Sequence, residues 1–453
     1  MAPVVDFKPL AGLVEPRTGQ RIQWQADSVE HAAVDQVVAE LLAQPLSLDA
    51  TVQIALLNNP ELQASYEELG LAQADLVQAG LLDNPVFSAS ARAVIVGGGV
   101  LNWETGIVQS VLSLLLRPER KKIAGASLER ARQHVAQAVI TLAADVQHAY
   151  FRVLGAGQLA GVMRVLSGAA ETSYAFAEQL DKAGNISDLD LAQERAAQEA
   201  AQLALMHSEA EVVIAREELN ELLALNTTQT NWTAAAESLP AIPVEDLALA
   251  RLETFAVAQR FDLAAVRAAV KQSSLALASA RRWRYLGSNQ VSLDAENDQD
   301  RGHRVLGPNI SMELPIFDRR QAAIARAEAT LRASQAEARA TENRVRSDVR
   351  SAYRRLVAQR DLAQRYREAL IPARERVVAL AQAHQNYMVI GQFELLVAKR
   401  DEIEAYRDYV DAVREYWVAR ADLTRAVGGK LPEDAVSPAP NPAPPATERQ
   451  HYQ

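Results

Sequence analysis

Hydrophobic and polar positions switch between two periods along this chain, and the switches come in the same order in each half. Over residues 46–85, LSLDATVQIALLNNPELQASYEELGLAQADLVQAGLLDNP, apolar residues return every three or four positions. That spacing predicts helix, with a break at Asn59-Pro60 and a stop at Asn84-Pro85. VFSASARAVIV then alternates. Phe87, Ala89, Ala91, Ala93 and Ile95 fall on one face and Ser88, Ser90 and Arg92 on the other, as in a strand with one wet side. GGGVLNWETG reads as a loop, and IVQSVLSLLL as a second strand ending near Pro118. In the second half SNQVSLDA, the polar loop ENDQDRGHR and NISMELPIF repeat the plan. There Ile310, Met312 and Leu314 face one way, and Asn309, Ser311 and Glu313 the other.

After each strand pair the helical period returns and persists, from Pro118 to about Lys182 and from Asp318 to about Met388. Each rod is expected to be on the order of 100 Å long at about 1.5 Å per residue. Val345, Val349, Ala352, Leu356, Gln359, Ala363, Tyr366, Leu370, Ala373, Val377 and Leu380 step by fours and threes, the seam of a left-handed coiled coil. The returning helices carry matching seams, Leu205, Ser208, Val212, Ala215, Leu219 and Leu222 in one and Ile403, Tyr406, Val410, Val413 and Trp417 in the other. Two long helical hairpins are therefore predicted. Their turns are DKAGNISDLD and MVIGQFE, where Gly184 and Gly391 are placed to end a helix in the left-handed conformation. Ser187 and Asp190 have the spacing of a capping box for the returning helix.

NPELQAS (59–65) is echoed by RFDLAAV (260–266), and LDLAQERA (189–196) by FELLVAKR (393–400), each roughly 200 residues apart, as in a duplicated unit. The predicted organisation is an extended N-terminal arm, 1–45, followed by two repeats. The first, 46–230, has strands at about 86–116 and a hairpin at about 118–226. The second, 231–430, has strands at about 285–316 and a hairpin at about 318–428, before a disordered Pro-rich tail, 431–453.

Composition then removes whole classes of function. Net charge is −10 with no basic face interleaved with aromatics, which argues against nucleic acid. The absence of cysteine removes disulfides, thiolate metal sites and Cys nucleophiles. The seven histidines form no pair at helical spacing, and G-x-x-x-x-G-K-[ST], H-E-x-x-H and G-x-S-x-G are all missing. Neither an enzyme nor a resident metal or cofactor is expected. No window approaches the roughly 18 apolar residues of a membrane-spanning helix, but strands of about 10 alternating residues escape that test. MAPVVDFKPLAGL has no charged n-region before an apolar h-region, so no secretory signal is read there.

LSLDATVQIALLNNPELQASYEELGLAQADLVQAGLLDNP, GNISDLDLAQERAA, NISMELPIFDRRQAAIARAEA and the closing LTRAVGG together resemble the TolC family of outer-membrane efflux proteins, over nearly all of Leu46–Gly429. The resemblance implies a mainly α fold with a membrane β-barrel. Two tandem repeats of strand pairs and coiled-coil hairpins would build a homotrimer sharing one twelve-stranded barrel, with an α-helical tunnel in the periplasm. It implies a passive exit duct in the outer membrane of a Gram-negative cell, serving a tripartite pump with a periplasmic adaptor and an inner-membrane RND-type transporter. Metal ions or small organic compounds would be the cargo.

On that resemblance Ser88, Ser90, Arg92, Ser288, Gln290, Ser292, Asn309, Ser311 and Glu313 line the barrel lumen, and Phe87, Ile310, Met312 and Leu314 face lipid. Trp103, Trp283 and Tyr285 are candidates for the interfacial girdle, and Pro118 and Pro315 fall near the strand-to-helix transitions, where the family also places prolines. The hairpin turns, with Gly184, Asn185, Ser187, Asp188, Asp190, Gly391, Gln392 and Phe393, become the periplasmic tip touched by the adaptor. Glu394 is the candidate gate ring. The family often has a second acid three residues on, where this chain has Val397. Competing readings are the channel of a type I protein-export system, a soluble coiled-coil scaffold whose strands are small hairpins, and a periplasmic adaptor. The duplicated hairpins and the lack of Gly-rich lipoyl-like halves argue against the adaptor.

Overall fold

A computed structural model describes residues 7–25, 28–93, 101–243, 249–286, 289–298, 303–387 and 391–431. The predicted tail beyond Leu431 lies outside the described residues. In chain order the elements are α1 (Lys8–Thr18), α2 (Ser28–Leu42), α3 (Leu48–Asn58), α4 (Pro60–Gly80), β1 (Val86–Ala93), β2 (Leu101–Ser110), α5 (Val111–Lys182) and α6 (Asp188–Leu223). There follow α7 (Leu249–Gln259), α8 (Phe261–Arg282), β3 (Asn289–Asp298), β4 (His303–Met312), α9 (Gln321–Arg365), a π-helical turn (Tyr366–Leu370), α10 (Ile371–Asn386) and α11 (Gln392–Val427). These elements form two compact units. One comprises Met1–Phe7, Ala64–Ala136 and Phe261–Asn343, the other Lys8–Gln63, Gln137–Arg260 and Arg344–Gln453.

The first unit holds the sheet. All three pairings are antiparallel, in the order β1-β2-β3-β4, so the strand pairs of the two repeats join along β2 and β3. Among the described residues β1 and β4 pair on one side only and leave two open edges. β2 starts earlier than its sequence suggested and ends at Ser110, where α5 begins. The run VLSLLL is apolar at consecutive positions and has no period of two, so it enters the helix, and Pro118 lies inside α5.

In the second unit the expected extended arm is corrected to two helices. Leu10 and Val14 are fully buried, and Val34 and Val38 nearly so; each pair stands at i, i+4, which puts one apolar stripe per helix against its neighbours. The break at Asn59-Pro60 falls where predicted. Asn59 leaves the helical region at φ −68°, ψ 120°, and Pro60 opens α4 without needing its missing N–H. Both asparagine side chains then cap another helix end. Asn58 donates to the Leu223 and Ala224 carbonyls at 2.8 and 2.9 Å, and Asn59 to that of Leu222 at 3.0 Å. Arg260 repeats the contact in the second half by donating to the Ala426 carbonyl, across the same 166 residues as Asn58 to Ala224.

The 72 residues of α5 correspond to about 108 Å of helix. One stretch within it reaches a mean hydropathy of 1.3 over 18 residues, which corrects the expectation that no helix is long and apolar enough to cross a bilayer. The second rod is not continuous. Pro372 has no N–H for the carbonyl four residues back, and the helix widens just before it; the Ile371 N–H bonds the Tyr366 carbonyl, five residues back. That extra residue shifts the seam. Val345, Val349, Leu356 and Ala363 are buried as predicted, but beyond the turn Ile371 is buried while Leu370, Ala373, Val377 and Leu380 are exposed.

Candidate functional site

Two regions gather the polar residues that the sequence marks out. The first is one face of the sheet. Registers pair Ser88 with Gly106, Ser90 with Glu104 and Arg92 with Asn102, then Glu104 with Glu296, Gly106 with Asp294, and Ser292 and Gln290 with Asn309 and Ser311. Since side chains alternate across a strand, Ser88, Ser90, Glu104, Gln290, Ser292, Asp294, Glu296, Asn309 and Ser311 share one side, while the Arg92 and Asn102 side chains lie outside what is described. Glu313 follows β4 at the same parity, and Ser288 lies outside the described residues. Three acids, Glu104, Asp294 and Glu296, join this face unforeseen. Asp294 and Glu296 follow Ser292 at steps of two in SLDAE, a signal the sequence did carry; Glu104 was hidden in a stretch read as loop. Ser292 donates to the Asp294 carboxylate at 2.8 Å.

The opposite face is apolar and open. Phe87 and Ile107 are paired across β1 and β2, Val291 and Ile310 across β3 and β4, and Ile310 is 73% exposed. Trp103, Leu293, Leu306 and Met312 complete an uncovered apolar surface of a kind that soluble proteins avoid unless it meets lipid or a partner. Trp283 lies past the end of α8, where its indole donates to Glu119 at 2.9 Å, and Tyr285 beside it is exposed under the Arg284 guanidinium.

The second region is the pair of hairpin turns. After α5, Gly184 takes φ +70° and the Asn185 N–H closes on the Leu180 carbonyl at 2.8 Å, the left-handed helix end that the sequence predicts. Ser187 caps α6. It accepts from the Asp190 N–H at 3.1 Å and donates to the Asp190 carboxylate at 2.7 Å, while Asp188 and Asp190 place negative charge at the helix N-terminus. Gly391 departs from expectation. At φ −75°, ψ 165° it is extended, not left-handed, and it starts α11 instead of ending α10. A methyl group there would lie 2.6 Å from a Glu394 carboxylate oxygen, the movable end of an exposed side chain. Glu394 is exposed and Phe393 half-buried; Met388 to Ile390 and the Gln392 side chain lie outside what is described. Further along this hairpin the Tyr406 hydroxyl donates to Glu375 at 2.6 Å, a bond that pushes its pKa up to about 12 and keeps it protonated. Arg374 of α10 pairs with Asp401 of α11 at 2.9 Å.

Comparison with known proteins places this arrangement in a class. The family described as "Outer membrane efflux protein" matches residues 51–225 and 255–429, more than half of the chain, and the chain belongs to that family. Its members are channels and not enzymes. The chain is 26% identical over 343 residues to the cobalt-zinc-cadmium resistance protein CzcC of Cupriavidus metallidurans, covering 74% of this chain and 78% of that one. Its fold matches TolC-like channels of known structure. The CmeC outer membrane channel of Campylobacter jejuni superposes with a TM-score of 0.71 at 14% identity, covering 84% of this chain and 85% of that one. CusC also superposes with a TM-score of 0.71, at 17% identity, over 84% of this chain and 92% of its own.

Proposed function

We propose that three copies of this chain close one twelve-stranded barrel in the outer membrane and form a passive exit duct for a tripartite efflux pump. The observation that carries this reading is the four-stranded sheet with two open edges, one apolar face and one polar face. Four strands cannot enclose a lumen, and an open edge in lipid would leave backbone groups without hydrogen bonds. Sharing a barrel among copies satisfies both edges, turns Phe87, Ile310, Met312 and Leu314 to lipid, and lines the lumen with Ser88, Ser90, Arg92, Gln290, Ser292, Asn309 and Ser311. Trp103, Trp283 and Tyr285 then fall at the interfacial girdle. Each match of the family model, 51–225 and 255–429, corresponds to one repeat.

The hairpin turns form the periplasmic tip, opened by an adaptor protein that also links the duct to an inner-membrane RND-type transporter, which supplies the energy. The cargo is metal ions or small organic compounds. The name of the CzcC relative favours metal. The deciding experiment is native mass in detergent together with recovery when detergent is omitted. A detergent-dependent particle of three 49.4 kDa chains plus micelle, conducting in a planar bilayer, is the expected result. A detergent-free monomer or dimer would remove the barrel and favour the soluble scaffold.

A further inference from the structure

In the second unit, contacts between helices define a row. α5 pairs with α6 through Arg164 and Glu209 at 2.8 Å, and with α11 through Phe151, stacked on Trp417 at 5.2 Å, and Gly155, which lies against the Arg414 side chain. α11 in turn meets α10, where Arg374 pairs with Asp401 at 2.9 Å and Tyr406 bonds Glu375 at 2.6 Å. The order is α6-α5-α11-α10, with α6 and α10 at the flanks. Each flank carries an apolar stripe that its own chain leaves uncovered. On α6, Leu203, Met206 and Val213 are 60–65% exposed, and each stands two positions from a buried residue, Ala201, Ser208 or Ala215. Two positions are about 200° around a helix, so the stripe points away from the buried side. On α10, exposed Ala373 stands two positions from buried Ile371, and Val377 and Leu380 continue its line at 47% and 45% exposure. The π turn creates this second stripe. Through Ala363 the heptad seam is buried, and the extra residue then carries it off the α11 face.

The two stripes match in height and in charge. Neighbouring helices of the row run antiparallel, and stepping across the contacts from Glu209 through Arg164 and Tyr406 to Glu375 and Arg374 puts Leu203 and Met206 level with Val377 and Ala373. α6 carries nine Asp and Glu against two Arg, whereas 354–386, at the same height, carries seven Arg against three acids, so the flanks are of opposite sign. We propose that these stripes are the two halves of one contact between copies, in which α6 of one copy packs antiparallel along α10 of the next, Leu203 and Met206 lying against Val377 and Ala373. The contact is head-to-tail. Rotation about an axis leaves heights unchanged, so two complementary stripes at one height close a ring where stripes at different heights would build a filament. This rests on the reading of several copies around one duct, and it gives the π turn a role: it transfers the apolar seam of the second rod from its own chain to the neighbouring copy.

The chain has no cysteine, so engineered pairs report this contact without background. Full-length protein carrying both Leu203→Cys and Val377→Cys, purified in detergent and treated with a short bismaleimide, should run as covalent dimers and trimers on a denaturing gel. Either substitution alone should leave it monomeric, because a head-to-tail contact never sets a position against itself. Within one chain α5 and α11 stand between the two sites, so any link joins different copies. Met206→Cys with Ala373→Cys repeats the comparison one turn away, and all four positions are exposed in the single chain, which keeps the variants foldable. A particle of trimer mass in which neither pair cross-links would overturn the contact and leave the shared duct standing. Cross-linking of a single variant would overturn the head-to-tail arrangement. A monomer by native mass, with no cross-link, would overturn the contact and the duct together.

Discussion

Asn59 combines most of the local logic of this fold in one side chain. Its oxygen accepts from the Leu62 N–H at 3.0 Å and starts α4, while its amide holds the Leu222 carbonyl at the end of α6. At 6% exposure, removal leaves a buried donor and a buried acceptor without partners. Asn59→Ala should cost about 1–3 kcal/mol, read as a lower unfolding midpoint in denaturant at constant slope. The Asn-Pro dipeptide announced the helix break from sequence alone, because proline restricts its neighbour locally. The bond to Leu222 was not legible, since its partner lies 163 residues away. Gly391 teaches the complementary lesson. A glycine at a turn suits either a left-handed helix end or an open helix start, and the residue type alone does not choose between them; here it starts α11 in the extended region.

At the scale of elements, strand alternation proved the most legible pattern. The faces assigned to β1 and β4 by counting every second residue are those that the hydrogen-bond register aligns, and the acids of β2 and β3 extend them. Reading the apolar face as lipid-facing leads to a paired prediction. Ile310→Lys should cost about 2–4 kcal/mol if it falls near mid-bilayer and lower the yield of assembled protein in membranes, whereas Ser311→Lys, one residue on, should assemble normally. Equal yields would sink the face assignment. The second coiled-coil seam shows where pattern reading fails. Leu370, Ala373, Val377 and Leu380 keep a perfect heptad step, yet the π turn at Tyr366–Leu370 hands the inner positions to Ile371 and its followers. Pro372 was the available signal. It marks a fault in the helix without saying whether a kink, a break or a widened turn resolves it.

At the scale of the whole molecule, the proposed duct depends on what several copies would do together. A single Glu394 in the first turn of α11 is an ordinary helix N-terminal acid. Three of them converging on one axis would repel anions and attract cations at the narrowest point of the entrance. Glu394→Gln should therefore reduce cation selectivity and divalent-ion block of single channels without changing assembly. Unaltered currents would remove Glu394 from the gate.

By itself the sequence determined the order of helix and strand and the strand faces, because each rests on short-range spacing or on prolines and glycines that constrain the backbone locally; the repeat was read from echoes roughly 200 residues apart, and the family from resemblance. Tertiary structure decided the helical arm, the register shift after the π turn, the acids on the polar strand face and the approach of His148 of α5 to Asp422 of α11. In the sequence His148 is one of seven scattered histidines, and Asp422 stands 274 residues away. The two come within 3.4 Å only because α5 and α11 pack side by side, and the packing of helices far apart in the chain is encoded by no local spacing.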